Sequence, residues 1–155
     1  MNANAVAIVL HLLSAVVWVG GMIFAHACLR PVAVSQLEPP QRLPLWVGVF
    51  ARFFPLVWLA VILLPLSGYL MIFTMFGGMG NAPLYVHLMN GIGWLMILIY
   101  LYVYFFPYRQ LRRAVTAQQW PAGGDALARI RRMVGTNIIL GLIVIAVASG
   151  GRYLG

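Results

Sequence analysis

Four long runs of apolar residues, separated by stretches that hold most of the polar residues, dominate the pattern along the chain. The runs cover residues 5–28, 53–76, 84–106 and 133–150. Each approaches the roughly 20 residues that an α-helix needs to cross a hydrocarbon core of about 30 Å. Helices also satisfy their own backbone groups in lipid. The pattern therefore predicts an all-α integral membrane protein, a four-transmembrane-helix bundle that forms one domain over residues 1–155.

Composition agrees with this pattern and excludes a soluble domain. Hydrophobic residues make up 63% of the chain and charged residues only 8%, whereas soluble domains carry about 25% charged residues. No basic residue precedes the first apolar run, and a secretory signal peptide would begin with one. We therefore expect the first run to be a retained helix. The lipid bilayer is the first partner that the sequence predicts.

The distribution of arginine predicts the orientation in the membrane. The net charge of +8 comes from ten Arg, no Lys, Glu38 and Asp125. Nine of the ten arginines lie in the connections 29–52 and 107–132, and the exception is Arg152. Because basic loops stay in the cytoplasm, both connections are predicted to be cytoplasmic, as short interfacial helices or turns, and both termini periplasmic. This predicts a multi-pass protein of the bacterial inner (cytoplasmic) membrane. The arginines act as topology signals, and no nucleic-acid partner is expected.

Polar groups within the predicted spans are costly, and they usually face the protein interior. Histidine, serine, threonine and asparagine supply them here: His11, Ser14, His26, Ser67, His87, Asn90, Thr136 and Asn137. On the predicted topology, His11 and His87 lie at similar depths near the outer surface, on different helices. His26 lies about 22 Å further along the first helix, near the arginine-rich boundary, so His11 and His26 cannot share one site.

The pairing of His11 with His87 predicts a b-type haem. Two neutral imidazoles that face each other across a bundle are suitable axial ligands for its iron. Four further residues are expected around it: Ser14 and Asn90 as hydrogen-bond partners of the ligands, Trp18 as a pocket wall, and Arg152 as a partner of the propionates. Hydrogen bonding between helices is the structural alternative for each histidine.

Methionine indicates a second chemistry, copper binding. Met71, Met75 and Met79 follow one another at intervals of four residues near the outer surface, and Met89 lies two residues after His87. Thioether sulfur and imidazole suit Cu(I), although methionine also fills gaps in apolar helices. The copper alternative uses five ligand candidates: His11, His87, Met75, Met79 and Met89. A third alternative is a structural subunit of a membrane complex without a cofactor. The single Cys28 excludes an internal disulfide or a CxxC motif.

Three segments resemble the CopD-like (copper-resistance D) membrane proteins. They are "LHLLSAVVWVGGMIF", "ARFFPLVWLAVILLPLSGYLM" and "RRMVGTNIILGLIVIAVASGGRY". They share with that family a His before a Trp-x-Gly-Gly step, an Arg-Phe start with a later Ser-Gly step, and an Asn-x-x-x-Gly pattern. The resemblance spans most of the chain as one four-helix unit. It implies haem or copper handling in a bacterial inner membrane.

The HemJ-type protoporphyrinogen oxidases, which are thought to bind b haem, also resemble this chain. These proteins have a His in the first helix and a His-Val-Lys step in a later one. The corresponding step reads His87-Leu88-Met89 in this chain, which contains no lysine. By position, His11 and His87 carry over as ligand candidates. The haem interpretation implies electron transfer or haem-linked redox chemistry by an oxidoreductase. Its partner would be a quinone or another membrane redox protein, and a homo-oligomer is compatible with the sequence.

Overall fold

The computed structural model describes residues 2–153, and they form helices joined by short turns. We number the α-helices in chain order and name the three other helical segments by their residues. The elements are α1 (Ala3–Ile23), a π-helical segment (Phe24–Leu29), α2 (Arg30–Gln36), α3 (Pro39–Phe76), a 3₁₀ turn (Met79–Asn81), α4 (Leu84–Phe105), α5 (Pro107–Thr116), α6 (Trp120–Gly150) and a closing 3₁₀ turn (Gly151–Tyr153).

These elements combine into four long helices, which confirms the predicted four-span bundle. The helices run over Ala3–Gln36, Pro39–Phe76, Leu84–Thr116 and Trp120–Tyr153, and each is long and apolar enough to cross a membrane. At about 1.5 Å per residue, helices of 33 to 38 residues extend roughly 50 Å, about 20 Å more than a hydrocarbon core. All four therefore extend beyond the hydrocarbon core.

The projections occupy the two arginine-rich connections, which are mostly helical rather than short turns. Only residues 37–38 and 117–119 leave helical structure in these stretches, apart from a turn residue at Phe106. In α5 the buried residues Pro107, Tyr108, Leu111 and Ala114 recur at helical spacing. The arginines between them lie exposed. An amphipathic helix of this kind has low average hydropathy, which explains why the apolar runs end before it.

We call the half of the bundle that carries the two connections the arginine end, and the half that carries the termini the terminal end. Four of the most deeply buried apolar side chains lie at the arginine end: Leu43, Leu111, Ala126 and Ile130, each at most 1% exposed. An aromatic row on α3 continues this core into the membrane. Phe50 and Phe54 stack with ring centroids 4.9 Å apart, and Tyr108 meets Phe54 edge-on at 4.8 Å.

Small residues allow close approach between the helices. In the bundle, α1 packs on α3, while α4 and α5 pack on α6. Gly21 of α1 lies directly against the ring of Phe53. A Cβ added at Gly141 of α6 would lie 2.8 Å from Val19 and 3.3 Å from Met96. Helix α6 therefore contacts both α1 and α4 through one glycine.

Two local features determine where helices end or change. Gly77 adopts a left-handed conformation with φ 71°, and the N–H of Gly78 donates to the Ile72 carbonyl at 3.3 Å, which terminates α3 in a Schellman-type motif. At the arginine end of the bundle, Pro31 of α2 lacks an N–H and cannot donate a hydrogen bond to the carbonyl four residues earlier. The Arg30 N–H instead reaches the Ala25 carbonyl, five residues back, and the helix widens into the π segment.

Candidate metal centre

The His11 imidazole lies half-buried on α1, and its Nδ1 lies 2.9 Å from the Ser67 hydroxyl of α3. The same hydroxyl donates to the Leu63 carbonyl at 2.6 Å. A serine hydroxyl has one proton to donate and can accept further hydrogen bonds. Since that proton goes to Leu63, the Ser67 oxygen accepts from the Nδ1–H of His11. This arrangement favours the tautomer in which the Nε2 of His11 retains its lone pair and is available as a ligand atom.

The contact between α1 and α3 is held in register at two levels. Beside His11, a Cβ added at Gly68 would lie 3.3 Å from Cε1 of the ring, so the glycine lets the imidazole approach α3. Nearer the terminal end, the Thr74 hydroxyl donates to Oδ1 of Asn4 at 2.6 Å. Residues 4 and 11 of α1 thus face residues 74 and 67 of α3, as antiparallel helices require.

Met71 belongs to this same seam between α1 and α3. It lies one turn from both Ser67 and Thr74, and residues three or four apart share a helix face. Its side chain is half-buried, and its level corresponds to the buried Ala7 of α1. One helical turn is about 5.4 Å, so Met71 lies one turn along α3 from Ser67, the residue that contacts His11.

His87 has different surroundings. It is the fourth residue of α4 and is exposed. Its expected partner Asn90 accepts a hydrogen bond from the Tyr69 hydroxyl at 2.8 Å, and Trp94 donates to the same hydroxyl at 3.1 Å. Asn90 therefore joins α4 to α3. The structure brings His11 to α3 and leaves His87 on the surface, so it does not bring these two residues together.

The other residues expected around a haem are spread over the bundle. Ser14 is buried on α1. Trp18 is also buried and meets Tyr100 of α4 edge-on at 6.2 Å. Arg152 is exposed at the terminal end, with its guanidinium over the neighbouring ring of Tyr153 at 5.4 Å. Ser14 lies one turn from His11 on the same helix, whereas Trp18 packs against Tyr100 and Arg152 lies at the terminal end.

Trp18 and Asn137 line a small internal cavity towards the arginine end. The Nδ2 of Asn137 donates to the Met96 carbonyl at 3.1 Å. Its Oδ1 is buried without a protein partner. The cavity volume is about 30 Å³, and a water molecule needs at least ~10–15 Å³. A bound water fits there and would satisfy the amide oxygen.

The methionines of the copper alternative also separate. Met75 is 55% exposed, Met79 lies in the 3₁₀ turn, and Met89 is half-buried on α4. Within residues 2–153, no three His, Cys, Asp or Glu side chains gather closely enough to hold a metal ion. Among the methionines, Met71 is the one on the face of α3 that meets His11.

Sequence reasoning missed the contact of His11 with Ser67, because it paired His11 with α4. Ser67, Met71 and Thr74 form one stripe on α3 at intervals of three and four residues. This stripe of polar and thioether groups in an apolar span was the available signal for the seam.

Comparison with known families identifies the chain. The family described as CopD, Copper resistance protein D, matches residues 47–150. This range holds most of α3 and all of α4, α5 and α6, and includes Ser67 and Met71, whereas His11 lies before it. Comparisons with curated proteins and with solved structures gave no match. The matched range covers more than half of the 155 residues, and the chain therefore belongs to the copper resistance protein D family.

Proposed function

We propose that this protein binds Cu(I) in the seam between α1 and α3, near the terminal end, as a membrane component of copper resistance. His11 supplies Nε2 and Met71 supplies its sulfur. The observation that carries the proposal is the bond from His11 to Ser67, which leaves Nε2 free for a metal. The family match supports copper as the metal.

The chemistry of the seam favours a monovalent soft ion. Imidazole nitrogen and thioether sulfur are ligands that suit Cu(I), and both are neutral. A site with neutral ligands keeps the full charge of its ion inside a low-dielectric region, and that cost rises steeply with charge. Cu(I) brings one positive charge, whereas Cu(II) or Zn²⁺ brings two. The seam is therefore expected to prefer Cu(I) over divalent ions.

The proposal includes an orientation and a location. By the arginine bias, the arginine end faces the cytoplasm and the terminal end faces the periplasm of a bacterial inner membrane. Cu(I) would then enter from the periplasmic side, where the seam lies nearest to the surface. The 155 residues act as one four-helix unit in this scheme.

The haem prediction draws no support from these contacts. A haem between His11 and His87 needs both rings at one internal slot, yet His87 is exposed. The internal cavity beside Trp18 is lined by neither His11 nor His87. The relation to HemJ-type proteins, a redox partner and a homo-oligomer likewise stay predictions.

A Cu(I) titration of the purified protein in detergent, against a competing chromogenic chelator, tests the proposal. We expect one Cu(I) per chain, with affinity lowered by about 100-fold or more in His11→Ala and in Met71→Leu. His87→Ala and Met89→Leu are matched controls on α4 and should keep the affinity of the unmodified chain.

Two outcomes would overturn the copper proposal. A Soret band in the protein from haem-replete cells that disappears in both His11→Ala and His87→Ala would establish the haem interpretation instead. A colourless protein that binds no Cu(I) would favour the structural subunit without a cofactor.

A further inference from the structure

A second cavity lies at the arginine end, between the π segment, α2, α3 and α6. Its volume is about 150 Å³, and four basic side chains line it: His26, Arg30, Arg42 and Arg131. Its other walls are apolar or aromatic and include Trp46 and Phe50. The cavity thus combines a cationic part with an apolar part, and neither the proposed copper site nor its ligands use it.

The positive charge of this cavity has little compensation from the protein. The chain holds ten arginines but only two carboxylates, Glu38 and Asp125, and neither carboxylate lines the cavity. Arg42 donates through Nη1 to the Leu37 carbonyl at 3.1 Å, which uses one of the five N–H groups of its guanidinium. The cavity is therefore suited to an anion with several acceptor oxygens.

The π segment forms one wall of the cavity and carries His26. Pro31 causes the change of helical register there, and single-turn π-bulges are frequently found at functional sites. A Cβ added at Gly135 of α6 would lie 3.6 Å from Cε1 of His26. The absence of a side chain at Gly135 therefore allows the imidazole to approach α6 beside the cavity.

Depth in the membrane places the cavity at the level of the lipid headgroups. His26 lies about 35 Å along the helix from Ala3, at about 1.5 Å per residue, just beyond a hydrocarbon core of about 30 Å. Trp46 is a residue type enriched at that boundary. Val34 and Arg131, both exposed, lie at the cavity wall, so the cavity opens to the outside of the bundle.

The size of the cavity restricts its occupant. Pockets for drug-sized ligands typically measure about 300–1,000 Å³, and 150 Å³ admits a headgroup but no large cofactor. Arginine forks match phosphate oxygens in geometry, and basic pockets between membrane helices bind acidic lipid headgroups. The apolar walls would remain in contact with water around a free phosphate ion, whereas the glycerol and acyl groups of a lipid would cover them.

We propose that this cavity binds the phosphate of an anionic phospholipid, whose acyl chains lie along the bundle in the bilayer. Native mass spectrometry of the purified protein with phosphatidylglycerol or zwitterionic phosphatidylcholine tests this. The variant carries Arg30→Gln, Arg42→Gln and Arg131→Gln. The control carries Arg109→Gln, Arg113→Gln and Arg132→Gln, which remove equal charge from exposed positions at the same end.

We expect the cavity variant to lose about 100-fold in affinity for phosphatidylglycerol, and the control to stay within about fivefold of the unmodified protein. Arg131→Gln alone, an exposed and structurally mild change, should cost about fivefold. Equal losses in the two triple variants would overturn the site. Equal retention of phosphatidylcholine would overturn the preference for an anion. Displacement of the lipid by inorganic phosphate at equal concentration would show a free-phosphate site instead.

Discussion

The Ser67 hydroxyl of α3 lies 2.9 Å from Nδ1 of His11 on α1, and the tautomer that directs Nδ1–H at Ser67 leaves Nε2 free. Ligating histidines usually have their second nitrogen held in this way, and loss of the partner typically lowers metal affinity by about 10–100-fold. The seam therefore has the supporting contact of a metal site as well as a ligand.

This relationship predicts the behaviour of Ser67→Ala. We expect the affinity for Cu(I), measured by chelator competition, to fall by about 10–100-fold while the stoichiometry stays at one ion per chain. Ser149→Ala is the control, because its hydroxyl also donates to its own helix, at the Ile145 carbonyl, but lies exposed on α6. Unchanged affinity in Ser67→Ala would mean that the hydrogen bond has only a structural role.

Gly141→Ala tests the close packing of α6 on α1. The new Cβ would lie 2.8 Å from Cγ2 of Val19, and a β-branched side chain has little freedom to move aside. We expect a loss of about 1–3 kcal/mol in the free energy of unfolding, measured by SDS titration from mixed micelles. At Gly91, where nothing lies within 4 Å, the same substitution should be neutral or stabilising. A neutral Gly141→Ala would contradict the packing described for this helix pair.

Leu111→Ala tests the core of the arginine end. The Leu111 side chain is fully buried, and removal of a buried leucine side chain costs about 2–5 kcal/mol. Leu142 is 49% exposed, so Leu142→Ala should lower the free energy of unfolding far less in the same titration. Equal effects of the two substitutions would show that the arginine end contributes no special stability.

The orientation is testable with cysteine labelling in a Cys28→Ser background. Ala117 lies in the turn between α5 and α6, and Gly80 lies in the 3₁₀ turn at the terminal end, both exposed. With the arginine end in the cytoplasm, a membrane-impermeant maleimide should label Gly80→Cys in right-side-out vesicles and Ala117→Cys only in inverted ones. The reverse pattern would place copper entry on the cytoplasmic side.

Much of the fold could be predicted from the sequence, because hydropathy reports directly on lipid contact. The four spans were found this way. The helical projections at the arginine end were not, because residues such as Arg109 and Arg113 alternate with buried ones such as Leu111. This alternation lowers the average hydropathy and resembles a loop until it is examined at a period of 3.6 residues.

The candidate site was predictable only in part. The free-energy cost of placing a polar side chain in the membrane is enough to identify His11 as an unusual residue. Its partner depends on which helices are neighbours, and periodicity within one helix contains no such information. His87 on α4 lies at the same predicted depth in the membrane as His11. In the structure, however, α1 packs against α3, and Ser67 of α3 contacts His11.

The longer helices also bear on how the molecule assembles. Inside lipid, helices gain little from burying apolar side chains against one another, because the surrounding chains are equally apolar. Leu43, Leu111 and Ile130 belong to one buried cluster on the projections, where water competes and burial of each such side chain is worth about 1.5–3 kcal/mol. Four separately inserted helices would thus be held together mainly by the packing of their projections on the aqueous side, at the arginine end.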